Sequence, residues 1–231
     1  PISELRAELE TLGYSFYSDG DTEVLLKGYH AWGEALLPKL NGMFAFAIWE
    51  RDAQRLFIAR DRLGVKPLYL SRTGERLRFA STLPALLKGG DISPMLDPVA
   101  LNHYLNFHAV VPAPRTLIAG IEKLPPATWL RIDANGHTEQ KTWWTLPYGP
   151  HADEANLTLE DWRDRVLDST REAVAIRQRA AADVGVLLSG GVDSSLLVGL
   201  LRDVGVQDLS TFPSVLRTQA ASAVMNSSIR I

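Results

Sequence analysis

Apolar residues recur at Ile2, Leu5, Leu9 and Leu12, the spacing of one helical face, and Gly13 stands just past them as a stop signal. Ser18-Asp19-Gly20-Asp21 is a turn cluster, with Asp21 placed to cap a helix that starts at Thr22-Glu23. Val24, Leu25, Gly28 and Trp32 share a face of that helix, and Gly33 marks its end. The pattern then shortens. Met43–Trp49 and Leu56–Ala59, joined by a polar turn through Asp52, read as a β-hairpin. Pro67–Leu70 and Leu77–Ala80 form a second pair across Thr73-Gly74-Glu75. A third pair, Trp129–Ile132 with Gln140–Trp143, turns at Asn135-Gly136, a type I′ signal. Short antiparallel strands with interspersed helices predict an α+β layer structure over residues 1–146.

The character changes near residue 147. Pro147–Thr158 reads as a polar linker. Thr158 and Asp161 then have capping-box spacing for a long amphipathic helix, with Leu159, Trp162, Val166 and Ala173 expected inward. Asp183–Leu188 is a continuous apolar run, as a buried parallel strand should be. It feeds into Ser189-Gly190-Gly191-Val192-Asp193-Ser194-Ser195 and then the helix Leu196–Val204, one strand–loop–helix unit of a doubly wound sheet. A single such unit leaves strand and helix faces uncovered. Apolar surface is therefore expected on Val184, Val186 and Leu188, or on Leu196, Leu197 and Leu200.

Composition narrows the chemistry. The 231 residues carry 24 Lys plus Arg against 27 Asp plus Glu, a net charge of -3 that argues against a nucleic-acid footprint. No apolar run approaches the length of a membrane span, and no signal peptide is visible, so a cytoplasmic protein is expected. Because Pro1 stands where a Met would, the chain is expected to begin inside something longer or to have been processed. Cysteine is absent, which excludes a disulfide scaffold, thiolate zinc sites and a cysteine nucleophile.

The 189–195 loop carries the clearest chemistry. Two glycines allow a tight turn and a close approach to a ligand. Successive N–H groups, with the free donors of the following helix, favour an anion. Ser189, Ser194 and Ser195 add hydroxyls without bulk. Asp193 fits an anion cradle when a magnesium ion bridges the phosphate oxygens. No Gly-Lys-Ser/Thr follows, so the loop is not of the Walker type. The alternative is a plain strand-to-helix turn that uses Gly and Ser for geometry alone.

Ser189–Ser195 resembles the pyrophosphate loop of ATP-pyrophosphatases, and Gly185-Val186-Leu187-Leu188 before it resembles the class B, glutamine-hydrolysing asparagine synthetases. Asn41–Ala47, Arg60–Tyr69, Phe79-Ala80-Ser81 and Gly120–Pro126 are similar to the glutaminase domain of that family. Asn102–Pro114 resembles its N-acetylglutaminylglutamine amide synthase branch. The resemblance covers about residues 1–212.

It implies an N-terminal-nucleophile-hydrolase-like antiparallel sandwich at 1–146 and the start of an α/β ATP-pyrophosphatase domain, of the adenine nucleotide α-hydrolase-like kind, at 159–212. By motif position, Ser189, Gly190, Gly191, Ser194 and Ser195 would hold the pyrophosphate of ATP, Asp193 its Mg2+, and the backbone of Leu187 would face the adenylate. Asp21 matches the aspartate that takes the α-ammonium of glutamine; read from the residues alone, it is equally a helix N-cap. Asp19 and Asp21 as a metal pair lack a third ligand. The implied partners are glutamine and aspartate or a related carboxylate, and a homodimer is compatible with the family.

The family's nucleophile is an N-terminal cysteine, which this chain does not contain, and its Asn-Gly-Glu segment, expected upstream of Ile2, is absent too. A glutaminase domain lacking its N-terminal segment is therefore expected. Two readings stay open: part of a glutamine-dependent amidotransferase, or a non-catalytic remnant. The tail Pro213–Ile231 departs from the family. One base lost after the Phe212 codon would let it be read as an acidic segment that begins Ser-Ile-Gly-Phe, so a frameshifted tail is expected, with an unusual genuine C-terminus as the alternative. His103 and His108 read as packing or capping residues, and Trp143-Trp144 as core and linker packing.

Overall fold

A computed structural model describes residues 2–149, 151–178, 185–213 and 229–230. It divides into two compact units, Pro1–Pro147 and Tyr148–Ile231. The first unit contains α1 (Ile2–Thr11), α2 (Asp21–Trp32), a 3-10 turn, α3 (Leu36–Lys39), β1 (Ala45–Glu50), β2 (Arg55–Arg60), β3 (Tyr69–Thr73), β4 (Arg76–Ala80), α4 (Leu83–Lys88), α5 (Pro98–Asn106), β5 (Ile121–Lys123), β6 (Thr128–Ile132) and β7 (Thr138–Thr142). The strands make two antiparallel sheets, ordered β1-β2-β6-β7 and β4-β3-β5.

The layers follow from strand alternation. Phe57 and Ala59 of β2 and Trp129 of β6 pack with Leu5, Leu9, Val24, Leu36 and Leu37 from the helices. Their strand neighbours Ile58 and Leu130 face the other way and meet Leu68, Leu70 and Leu124 on the side of the second sheet. β2 and β6 are thus buried on both faces, and α4 packs against β3 and β4.

Three local expectations needed correction. Leu12 is exposed, because Gly13 and Tyr14 turn back to the carbonyls of Glu10 and Leu9 and end α1 at Thr11. Asp21 is the first helical residue rather than the cap. Gly20 is the N-cap and no side chain caps it. The hairpin between β6 and β7 is not a two-residue type I′ turn, since only Gly136 of the pair has positive φ (77°). Instead Asp133 organises a wider loop, its carboxylate accepting from the amides of Asn135 and His137, both at 2.9 Å, while Gly136 N–H bonds its carbonyl. A type I turn closed by a left-handed glycine explains why β7 starts two residues early, at Thr138.

The segment 60–66 has a charged interior. Asp61 is only 2 % exposed, and its carboxylate accepts from the amides of Phe44 (3.2 Å), Leu63 (3.2 Å), Val65 (2.9 Å) and Lys66 (3.0 Å). Arg60 points oppositely and donates to the carbonyls of Lys66 (2.8 Å), Gly64 (2.6 Å) and Leu124 (2.5 Å). Gly64 sits at φ 64°, and a Cβ there would come within 2.9 Å of Pro126 and 3.1 Å of the Arg60 guanidinium.

Glu23, in the first turn of α2, is a second buried anchor. It accepts from the amides of Tyr17 (3.2 Å) and Ser18 (2.9 Å) and from the Ser18 hydroxyl (2.7 Å), and it pairs with Lys27. Burial opposes its ionisation, but Lys27, Ser18 and the two amides together hold its carboxyl down at about 2.

The second unit contains a short 3-10 turn, α6 (Leu159–Arg177), β8 (Gly185–Leu188), α7 (Val192–Asp203), β9 (Ser210–Pro213) and β10 (Ile229–Arg230), with sheet order β10-β9-β8. The capping box forms as expected: the Thr158 hydroxyl accepts from Asp161 N–H (3.2 Å), and the Asp161 carboxylate from Thr158 N–H (2.8 Å). β8 is not alone, because β9 pairs with it in parallel, so β8, α7 and β9 form a βαβ unit.

The inward face of α6 is also corrected. Leu159 (85 % exposed), Trp162 and Val166 face outward within this unit, whereas Leu167 and Val174 pack with Leu200, Leu201 and Leu209. The helix docks on α7 mainly through its second half, so the phase is set there. Of the residues expected to stay uncovered, Leu196 and Leu197 are exposed, while Leu200 is buried, and Val186 and Leu188 are half-buried. Asp183 and Val184 lie outside the described residues, as does the 214–228 stretch of the tail.

Removing the Asp61 carboxylate leaves buried amides without an acceptor. Asp61→Ala is expected to destabilise the first unit by about 3 kcal/mol or more. Asp61→Asn, which keeps one acceptor oxygen, should lose less. Urea unfolding followed by tryptophan fluorescence measures both. A depressed carboxyl stabilises the fold above its unfolded value and loses that contribution as pH falls through its folded value. The stability advantage of the parent chain over Glu23→Gln should therefore be full above pH 4.5 and fade toward pH 2. Paired urea titrations along that range would show it, and an advantage independent of pH would contradict it.

Candidate functional site

Asp21 stands exposed at the start of α2, held there by the turn before it. Arg6 of α1 donates to the carbonyl of Ser18 (2.8 Å) and lies 3.6 Å from Asp19, so both helices grip the turn. Glu23 ties down its inner side. Asp21 is thus a carboxylate without a side-chain partner among the described residues, on a braced helix terminus with the first-turn amides behind it. Asp19 and Asp21 gain no third ligand, and no group of three or more metal-ligating side chains occurs among the described residues.

The segment 189–195 joins β8 to α7. Gly190 is at φ 78°, which turns the chain sharply after the strand, and Gly191 is the N-cap of α7. The serines knit the loop together. Ser194 Oγ lies 3.0 Å from Ser189 Oγ and donates to Gly191 O (3.1 Å). Ser195 Oγ donates to the same carbonyl (2.9 Å), and Ser189 Oγ accepts from Gly191 N–H (3.3 Å). The amides of Val192, Asp193 and Ser194, in the first turn of a 12-residue helix, have no intrahelical acceptor and converge on one region at its positive end. Asp193 is exposed beside them, and Leu187 is 76 % exposed. Structure therefore brings together Ser189, Gly190, Gly191, Asp193, Ser194 and Ser195. Asp21 belongs to the other unit.

Glu23 and Asp61 did not emerge from sequence reasoning as anchors. The signal for Glu23 was present as an acidic residue in a first turn behind a serine-containing turn. Asp61 had no comparable signal, since its acceptors come from residue 44 as well as from 63–66. The expected packing role of His103 has a visible partner: its ring lies 5.6 Å from that of Phe107, and its buried Nδ1 has no hydrogen bond.

Comparison with known proteins bears on both places. Residues 165–222 match the asparagine synthase family. Asparagine synthetase [glutamine-hydrolyzing] 1 of Bacillus subtilis is 37% identical over 222 residues, covering 96% of this chain and 34% of that protein. A putative asparagine synthetase [glutamine-hydrolyzing] of Mycobacterium tuberculosis is 36% identical over 201 residues, covering 85% of this chain and 31% of that protein. A second putative asparagine synthetase, from Methanocaldococcus jannaschii, is 36% identical over 199 residues, with 83% and 37% covered. The chain spans about a third of the length of these relatives. Residues 2–144, more than half of the chain and nearly all of the antiparallel unit, match the glutamine amidotransferase domain family, to which this chain belongs.

Proposed function

We propose that this chain is part of a glutamine-dependent amide synthase that activates a carboxylate with ATP and delivers glutamine-derived ammonia to it. The observation that carries the reading is the strand–loop–helix at 185–203, with its converging amides and exposed Asp193, on one chain with a glutamine amidotransferase domain. The names of the relatives support aspartate as the acceptor over N-acetylglutaminylglutamine. A cytoplasmic location, small-molecule partners only and a homodimer belong to the same proposal.

In this reading Asp21 holds the ammonium of glutamine, its charge kept forward by the turn that Glu23 and Arg6 fix. The amides of Val192, Asp193 and Ser194 receive the departing pyrophosphate, where donors already in place stabilise developing negative charge. Gly190 and Gly191 keep side chains out of that space, the serine hydroxyls hold the loop's shape, and the backbone of Leu187 faces the adenylate. Mg2+, when bound, neutralises phosphate charge. It is usually held by one or two carboxylates plus phosphate oxygens, and the single carboxylate of Asp193 beside the amides suits that donor set.

The chain has no cysteine and so offers no thiolate to attack the glutamine amide. It is expected to release no ammonia from glutamine, and ammonia production dependent on this polypeptide would refute the nucleophile argument. Calorimetric titration with magnesium pyrophosphate tests the loop. Weak, magnesium-dependent binding is expected, with Asp193→Asn about tenfold weaker. Binding indifferent to magnesium and to Asp193 would remove the loop from the proposal.

A further inference from the structure

Away from Asp21, a cavity of about 600 Å³ opens between the two sheets of the first unit. Leu70 and Leu130, which belong to the core between the sheets, form its apolar floor. On β3, Arg72 lies two residues beyond Leu70 and so shares its face. On β5, Glu122 is directly opposite Leu70. From the other sheet Gln140, opposite Leu130, lines the same space. Arg72, Glu122 and Gln140 are exposed, so two opposite charges and an amide meet solvent beside an apolar floor.

Glu122 makes no ion pair with Arg72 or Arg115. The Glu122 carboxylate has no hydrogen-bond or ion-pair partner among the described residues. Arg72 donates to the Thr138 hydroxyl at 3.0 Å and makes no ion pair among the described residues. A second guanidinium, Arg115, lines the cavity and is held by Asp97 at 2.5 Å through one nitrogen only. The other oxygen of Asp97 is occupied, accepting from the amides of Val99 (2.8 Å) and Ala100 (3.1 Å) at the start of α5. Arg115 is therefore fixed in place with donors to spare. The volume is in the range of small-molecule sites.

We propose that this cavity binds a zwitterion of the α-amino-acid class with an apolar side chain. Its carboxylate meets Arg72 and Arg115, its ammonium meets Glu122, and its side chain lies on Leu70 and Leu130. A ligand carrying both charges satisfies the two separated groups at once, whereas a simple anion or cation leaves one facing an unmatched charge. The site is independent of the glutamine and pyrophosphate readings and involves none of their residues.

The probes are leucine, N-acetyl-leucine, which lacks the ammonium, and isoamylamine, which lacks the carboxylate. Each is titrated into the full chain and followed by backbone amide NMR. Leucine should shift the amides of 118–122 saturably, and both analogues should bind at least about tenfold more weakly, the size of one lost charge-assisted contact. Glu122→Gln should abolish the preference for leucine over its acetylated form, and Arg72→Gln should weaken leucine binding. Both side chains are exposed, and circular dichroism checks that the variants fold. Equal binding of the three probes to the parent chain, no saturable shift with leucine, or shifts that map elsewhere would overturn the proposal without reference to any variant.

Discussion

The Asp61 carboxylate gathers chain segments that no regular ladder joins. It takes amides from residue 44, at the entrance of β1, and from 63–66, the loop toward β3. The backbone of the same residue bonds Phe44 O and receives Ala127 N–H ahead of β6. Arg60 adds the complementary half, binding carbonyls of 64, 66 and 124. Buried charges are tolerable when their bonding capacity is filled, and here backbone groups fill it. Both sheets therefore depend on one pair of adjacent residues, because that pair fixes where the chain leaves the first sheet and where the second begins.

The candidate glutamine-side residue relies on the same strategy on a smaller scale. Asp21 is exposed and makes no side-chain cap, so its position comes from the turn before it. That turn is held from below by Glu23 and from the side by Arg6. The residue that would touch a ligand is therefore distinct from those that set its geometry. A carboxylate spent on capping would be less available to an ammonium group. Displacing Asp21 from the N-cap to the first helical position leaves its oxygens uncommitted.

In the second unit the helix terminus presents amides and the serines consolidate the loop. Ser194 and Ser195 both turn back to Gly191 O, so the hydroxyls are internal struts while the first-turn amides remain outward. One parallel neighbour, β9, and one packed helix face cover β8 only in part. Leu187, Leu196 and Leu197 remain in contact with water within this unit. A parallel strand ordinarily has both faces covered, and among the described residues β9 is the strand that pairs with β8.

Periodicity by itself located the helices that begin at Ile2 and Leu159, the three hairpins and the strand–loop–helix around 189–195, because each rests on interactions within a few residues, while their ends were set elsewhere, as at Thr11. The candidate residues of that loop could be named from the sequence for the same reason: strand, glycines, serines and helix are contiguous. Tertiary structure decided the rest. Which face of α6 is buried depended on where α7 docks, so Leu167 and Val174 replaced Leu159, Trp162 and Val166. The turn at Asn135-Gly136 depended on Asp133 as well as on the dipeptide. Asp61 and Glu23 look like ordinary surface acids in the sequence, and only folding places backbone amides around their carboxylates. Arg72 and Glu122, 50 positions apart, share a cavity because β3 pairs with β5, a pairing that local pattern does not encode.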